Sequence, residues 1–390
     1  MNVGIVSNSP GEVAGWAIPA SKILKKLGFK IDLYLTPCMF ASKREFDVAL
    51  KFGQFSQIFN SYETLKKIFF QNKNKYDLFI HMGGDIWYST KFKSDKLFSY
   101  GWGTKRLDKF FQYYLVPNQY YLRKLIERKI DNSKIVKVRD LVFEKFFEKF
   151  EESNYYNPDS NLLGFMLGSR KNEFYGLLDL YLRTIKLIDR KFEFVFFVSP
   201  FIYDLFENKE SFEREVLDFI KNYGFNGFKN LRFIVDEEEK IELLSNLRLL
   251  ITIPGTKTNE AGYLGIPQLV ILPLQKPEEI PIWGAIGWLD FLGKMGKKIK
   301  GYFVLKYAQK NILSNKRFIA MPNIIAQKKI VEEFVEIINE HNLSEKINQL
   351  LENKQRLISI SNELKQIYRA WEDDAITFQD AIKKLVFNQI

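Results

Sequence analysis

The stretch from Leu249 to Leu274 constrains this chain most. Leu249-Leu250-Ile251-Thr252-Ile253 is a near-continuous apolar run, the pattern of a parallel strand buried on both faces. It stops at Pro254-Gly255. A helix is predicted from Thr256 to about Gly265, and Ile266-Pro267 leads into a second apolar strand, Gln268–Leu274. Strand, glycine turn, helix start and strand together make a device for holding a phosphate, because free backbone N–H groups and the helix dipole face the anion. On that reading Gly255 lets the backbone approach, Thr256 and Thr258 add hydroxyl donors, and Glu260 is placed to bond a ribose hydroxyl. The same residues also describe an ordinary capped helix, with Thr256 as the cap and Glu260 answering the dipole.

A chain of 390 residues suggests two domains, and 46% hydrophobic residues suffice for two cores. No apolar run reaches the ~18–20 residues of a membrane-spanning helix. The start, Met1-Asn2-Val3-Gly4-Ile5-Val6, lacks the basic region and long apolar stretch of a secretory signal. Cys38 is the only cysteine, which argues against a disulfide framework and a cysteine zinc site. His81 and His341, the only histidines, lie far apart, which argues against an imidazole metal cluster. The expectation is a soluble cytoplasmic protein with no resident metal or cofactor. The formal net charge is +11, with 36 phenylalanines and 19 tyrosines. A basic, aromatic surface can meet nucleic acid, an anionic membrane or a phosphorylated substrate. A general bias toward Lys, Asn, Ile and Phe would give the same excess. No recognised nucleic-acid-binding motif is present, so nucleic acid is not an expected partner.

From the N-terminus, Val3–Ser7 reads as a buried strand. The polar turn Asn8-Ser9-Pro10-Gly11-Glu12-Val13-Ala14-Gly15-Trp16 follows, then a helix ending at Gly28 and a strand, Ile31–Leu35. This is a βαβ start without the G-x-G-x-x-G spacing of a dinucleotide fingerprint. Asp77–Met82 is the next strand and runs into Gly83-Gly84-Asp85. Ligands collect at that edge of parallel sheets, which makes Asp85 a candidate acid or base. It can equally be a turn aspartate bonding its own backbone. Tyr113–Val116 is a further strand, and the charged segment Glu144–Ser160 reads as a linker. A second βαβ series then begins, with strands at Leu162–Leu167, Phe192–Val198 and Leu231–Val235. Gly168-Ser169-Arg170 opens a helix after the first of these. An arginine there opposes the helix dipole unless an anion offsets it; the plainer alternative is an ion pair with Glu173. Between Lys276 and Lys310, Trp283, Trp288, Phe291 and Tyr302 stand beside Lys294, Lys297, Lys298 and Lys300. That mixture suits a membrane interface or a lipid substrate, or else a buried helix with a solvated lysine edge. From Val331 the chain reads as mostly helical, with Trp371 as a docking anchor.

Two successive α/β halves, a phosphate-type turn in the second and a helical tail suggest a two-domain glycosyltransferase of the GT-B architecture. The residues also resemble the lipid-A-disaccharide synthase family. Gly11-Glu12-Val13-Ala14-Gly15 looks like that family's Gly-Glu-Ala-Ser-Gly loop. Met166-Leu167-Gly168-Ser169-Arg170-Lys171-Asn172-Glu173 is similar to its Leu-Pro-Gly-Ser-Arg-x-x-Glu motif. Gly255-Thr256-x-Thr258-x-Glu260-Ala261 is similar to Gly-Thr-Ala-Thr-Leu-Glu, and Met321-Pro322-Asn323-Ile324-Ile325-Ala326 to Leu-Pro-Asn-Ile-Leu-Ala. The four segments occur in the family's order. Leu167 stands where the family has proline, Trp16 where it has aspartate, and Met82-Gly83-Gly84-Asp85-Ile86-Trp87 is a shortened form of its Ile-Asp-Ala-Pro-Asp-Phe-Asn segment. The second half is thus matched more closely than the first.

The resemblance implies an α/β protein of GT-B type: two Rossmann-like domains with parallel sheets facing across a cleft, and a helical C-terminal tail. The implied domains are 1–155 for the acceptor, 160–330 for the nucleotide sugar, and 331–390 as helices packing back on the first domain. The implied reaction is an inverting hexosyl transfer of 2,3-diacylglucosamine from UDP to 2,3-diacylglucosamine 1-phosphate, in lipid A disaccharide synthesis. The partners would be a UDP-sugar and a lipid or phosphorylated-sugar acceptor, met peripherally at the cytoplasmic face of the inner membrane. Ser169, Arg170, Gly255, Thr256, Thr258, Glu260 and Asn323 would bind the UDP-sugar without a metal. Gly11 and Gly84 would shape the acceptor loops, and Asp85 or Glu12 would take the acceptor proton. A GT-B enzyme with another acceptor, or a non-hydrolysing UDP-sugar 2-epimerase, would share the donor half.

Overall fold

The computed structural model describes residues 1–71, 75–143, 156–225, 230–280, 289, 293–314 and 316–387. The chain divides into two compact units, Met1–Glu151 with Tyr368–Ile390, and Glu152–Ile367.

In the first unit β1 (Asn2–Ser7), β2 (Lys30–Leu35), β3 (Gln57–Phe59), β4 (Lys75–His81), β5 (Lys93–Tyr100), β6 (Tyr113–Val116) and β7 (Ile135–Lys137) form one sheet. Its order is β3-β2-β1-β4-β5-β6-β7, and every pairing is parallel. In the second unit β8 (Leu162–Met166), β9 (Glu193–Phe197), β10 (Leu231–Ile234), β11 (Leu249–Thr252), β12 (Gln268–Pro273) and β13 (Glu332–Glu336) form another. Its order is β10-β9-β8-β11-β12-β13, again parallel throughout. Both sheets wind outward from a central strand, return, and continue on its other side. Each therefore has a topological switch point, between β1 and β4 in the first and between β8 and β11 in the second. Ligands bind outside the carboxyl ends of the strands at such points.

The central strands are buried as a parallel sheet requires: β1 from Val3 to Ser7, and all of β11. Four strands escape the hydrophobic pattern. β3, β7 and β13 are edges, and none of them buries more than one position. β13 carries Glu332, Glu333 and Glu336 within five residues and buries only Val335. β5 begins Lys-Ser-Asp-Lys at the surface and buries only Leu97–Tyr100.

Two element boundaries also differ from expectation. The turn read over Asn8–Trp16 is helical from Pro10, because Ser9 caps it in a reciprocal capping box with Glu12. A π-helical turn, Val13–Ala17, follows and continues into the helix Ile18–Lys26. The tail read as helices from 331 first supplies β13, and the helix Glu340–Glu352 then buries Leu343 and Ile347 in the second unit's core. From Tyr368 the chain belongs to the first unit. There the Trp371 indole N–H donates to Val138 O at 3.0 Å, and Phe378, Ala381 and Ile382 are buried. Of the linker read over Glu144–Ser160, residues 144–155 lie outside the described residues, as do Trp283, Trp288 and Phe291.

Candidate functional site

Each unit brings sequence-predicted residues to its switch point. In the first, the ends of β1, β2 and β4 are level: the Thr36 N–H bonds Ser7 O at 3.0 Å and the Met82 N–H bonds Val6 O at 2.8 Å. Glu12, in the first helical turn after β1, folds its carboxylate back to accept the Ser9 N–H at 3.2 Å. Gly83, following β4, lies directly on that carboxylate; a Cβ there would sit 2.4 Å from Glu12 Oε2. A side chain at 83 would displace the Glu12 carboxylate from this position. Gly84 is favoured by conformation, with φ +79°. Gly11 and Gly84 both lie at this edge, half-buried.

The two candidate proton acceptors have different surroundings. Burial raises the Glu12 carboxyl from 4.5 to about 7, and the backbone and side-chain bonds from Ser9 offset only part of that. Asp85 is exposed. Its Oδ1 accepts the Trp87 N–H at 2.8 Å and caps the short helix Ile86–Ser89, the turn role that its position also allowed. His81, at the end of β4, is fully buried; burial lowers it to about 3, so the ring is neutral, with Nδ1 2.9 Å from Ser89 Oγ. Ser7, Asn8 and Thr36 stand at the same edge and were not among the candidate site residues. Their signal was a polar residue at or just after the end of a buried strand.

In the second unit Gly168-Ser169-Arg170 follows β8 and Pro254-Gly255-Thr256 follows β11. A Cβ at Gly168 would lie 3.5 Å from Ile253 Cδ1, so the two loops are neighbours. Arg170 is the N-cap residue of the helix Lys171–Ile185 and pairs with Glu173 Oε1. The Ser169 N–H reaches the other Glu173 oxygen at 3.3 Å. The loop therefore presents its donors to a carboxylate of the chain itself. Gly255, not Thr256, is the cap of the helix Thr256–Tyr263.

Three residues expected to bind the UDP-sugar have partners within the chain. The Thr258 hydroxyl donates to Gly255 O at 2.8 Å and accepts the Met321 N–H at 3.2 Å, so it joins two helix starts. Both Glu260 oxygens are held by Lys257 Nζ, at 2.7 and 2.9 Å. The Glu260 side chain is 3% exposed and that of Lys257 31%, so the cation is the group facing solvent. Asn323 is fully buried. Its Nδ2 donates to Val331 O at 3.0 Å and Glu333 Oε1 at 2.8 Å, and its Oδ1 accepts the Ile330 and Val331 N–H groups at 2.7 and 2.9 Å. That saturates an asparagine amide, which here ties the helix Met321–Ala326 to β13. Among the described residues, no cluster of three or more His, Cys, Asp or Glu side chains is placed to hold a metal ion, and no helix is long and apolar enough to cross a membrane.

No family model matches the chain, and no curated protein matches it. Solved structures do. A candidate UDP-N-acetylglucosamine 2-epimerase from Listeria monocytogenes is 14% identical, with 100% of this chain and 97% of that one covered and a TM-score of 0.55. MurG from Acinetobacter baumannii is 12% identical, with 100% of both chains covered and a TM-score of 0.52. A UDP-N-acetylglucosamine 2-epimerase is 10% identical over 100% of this chain and 97% of that one, with a TM-score of 0.50. At these identities the likeness concerns the fold, and with two parallel sheets and a helical C-terminal tail the chain has a fold of the GT-B type.

Proposed function

We propose that the chain is a UDP-sugar-dependent hexosyltransferase, with the nucleotide held by the second unit and the acceptor hydroxyl activated in the first. The observation that carries this reading is the chemistry at the two switch points. The second gathers backbone N–H groups, hydroxyls and a guanidinium; the first holds a carboxyl with a pKa of about 7. Departure of UDP leaves charge on a diphosphate. Ser169, Arg170 and the helix start at Gly255–Thr256, with Lys257 beside it, suit that charge. Glu12, poised near neutral pH, suits removal of the acceptor proton as the sugar–phosphate bond breaks. Asp85, on the turn after β4, would orient a sugar hydroxyl.

The lipid-A-disaccharide synthase resemblance makes the reaction specific: 2,3-diacylglucosamine passes from UDP to 2,3-diacylglucosamine 1-phosphate at the cytoplasmic face of a membrane. The helix Gly293–Tyr307 supports a lipid-facing role. It buries Gly296, Lys300, Gly301 and Val304 and exposes Met295, Ile299, Tyr302 and Phe303 among Lys294, Lys297 and Lys298. Apolar groups ringed by lysines suit anionic headgroups. The second reading is a UDP-sugar 2-epimerase, favoured by the likeness to the Listeria protein. Incubation with UDP-N-acetylglucosamine and with UDP-diacylglucosamine, each with and without the lipid acceptor, separates the two. A disaccharide formed only with acceptor supports transfer. An epimer formed without acceptor replaces that reading with the second.

A further inference from the structure

Two lysines act on one buried carboxylate beside the Gly255 turn. Lys257 stands in the first turn of the helix Thr256–Tyr263, which has no acidic residue in that turn. A cation there opposes the helix dipole. It is held by Glu260, whose two oxygens it bonds at 2.7 and 2.9 Å. The pair is unequal, with the Glu260 side chain 3% exposed and that of Lys257 31%. Lysine is a point charge on a flexible stem, so the half of the pair that can move is the cation. Moving it has a cost, because a buried carboxylate stripped of its partner is strongly destabilising.

Lys240 offsets that cost. It lies on the helix Glu237–Ser245, buried with Ile241, Leu243 and Leu244, and is 2% exposed. Lysine is almost never buried so completely unless it is paired. Its Nζ donates to Glu237 Oε1 at 2.9 Å, within the same helix, and the Glu237 side chain is 41% exposed. A partner that reaches solvent does not call for a buried lysine; Glu260 does. Burial acts to lower the Lys240 ammonium, but the carboxylates of Glu237 and Glu260 outweigh it and hold the group above its ordinary value, with Lys257 as a further neighbour. Glu260 thus has two cations, one buried and one reaching solvent. We propose that Lys257 is the mobile cation of the nucleotide site, passing from Glu260 to the diphosphate of the bound nucleotide, and that Lys240 is the positioning residue that keeps Glu260 paired when Lys257 leaves. This rests on the UDP-sugar reading and deepens it: Lys257 recognises the phosphates, and Lys240 sets it free to do so.

The test measures the affinities of UDP and of uridine for the full chain by NMR titration and takes their ratio as the contribution of the phosphates. Lys257→Met should lower that ratio about tenfold or more. Lys240→Met should lower it as well, because Glu260 then retains Lys257. The double variant should be no worse than Lys257→Met alone, since Lys240 acts through Lys257; two independent charges would give additive losses. Adding Glu260→Gln to Lys240→Met should bring the ratio back toward the parent's by freeing Lys257, a recovery that a merely structural Lys240 would not show. Lys240→Gln takes the place of Lys240→Met should the latter not fold. A parent-like ratio in either single variant, additive losses in the double, no recovery with Glu260→Gln, or failure of both Lys240 variants to fold overturns the proposal. Where the parent binds UDP, such a result overturns this proposal alone. No UDP binding by the parent overturns the nucleotide reading itself, and this proposal with it.

Discussion

Burial of the Glu12 carboxyl couples chemistry to stability. The folded chain holds its proton up to about pH 7, against 4.5 for an ordinary glutamate. Below 4.5 the group is protonated in both states and has no effect. Between 4.5 and about 7 the unfolded chain ionises while the folded one does not, so stability falls as pH rises, and above 7 the full cost is present. At 1.36 kcal/mol per pKa unit that cost is at most about 3 kcal/mol. Denaturant melts of the parent and Glu12→Gln from pH 4 to 8 should show the parent losing stability relative to the variant across this window. If Glu12 is the base, transfer should rise with pH through about 7, and Glu12→Gln should lower it roughly 10²–10⁴-fold while UDP binds as before. Asp85→Asn, at an exposed cap, should change transfer less. Equal losses in the two variants would count against the assignment.

At the scale of elements, the Asn323 amide and the C-terminal helices make the clearest demands. Asn323→Ala would leave the Ile330 and Val331 N–H groups unpaired in the core and should lower stability by about 1–3 kcal/mol. A purely ligand-binding asparagine would instead lower UDP affinity with no change in the melt. Trp371→Ala removes a buried indole and its bond to Val138 O, and should cost about 3–5 kcal/mol in thermal unfolding. These cases also show what was legible in sequence. The apolar runs at Val3–Ser7 and Leu249–Ile253 mark central parallel strands because burial on both faces leaves no room for polar residues. Glu332–Glu336 could not be read that way, because an edge strand keeps its charges and takes its identity from its neighbour β12. Glycine turns after strands located both switch points. The individual roles were not legible: Thr258, Glu260 and Asn323 are polar residues in apt motifs whose partners come from residues three to some sixty positions away.

For the whole molecule, a two-unit α/β chain with a net charge of +11 and an exposed apolar–lysine helix in its second unit should bind vesicles containing anionic lipid. Co-sedimentation should weaken as salt rises and fall further when Lys297 and Lys298 are changed to glutamate; binding indifferent to both would remove the membrane from the scheme. The nucleotide comes first, because every finer assignment depends on it. Calorimetric titration of UDP into the parent and into Arg170→Ala, both in EDTA, reads it directly. On the proposed reading the parent should bind, with a guanidinium and a helix start offered to the diphosphate, and Arg170→Ala should bind more weakly by about 1.5–3 kcal/mol, the range for a charge-assisted bond. No binding by the parent, or equal affinity in the two proteins, would contradict a UDP-sugar site at the switch point between β8 and β11.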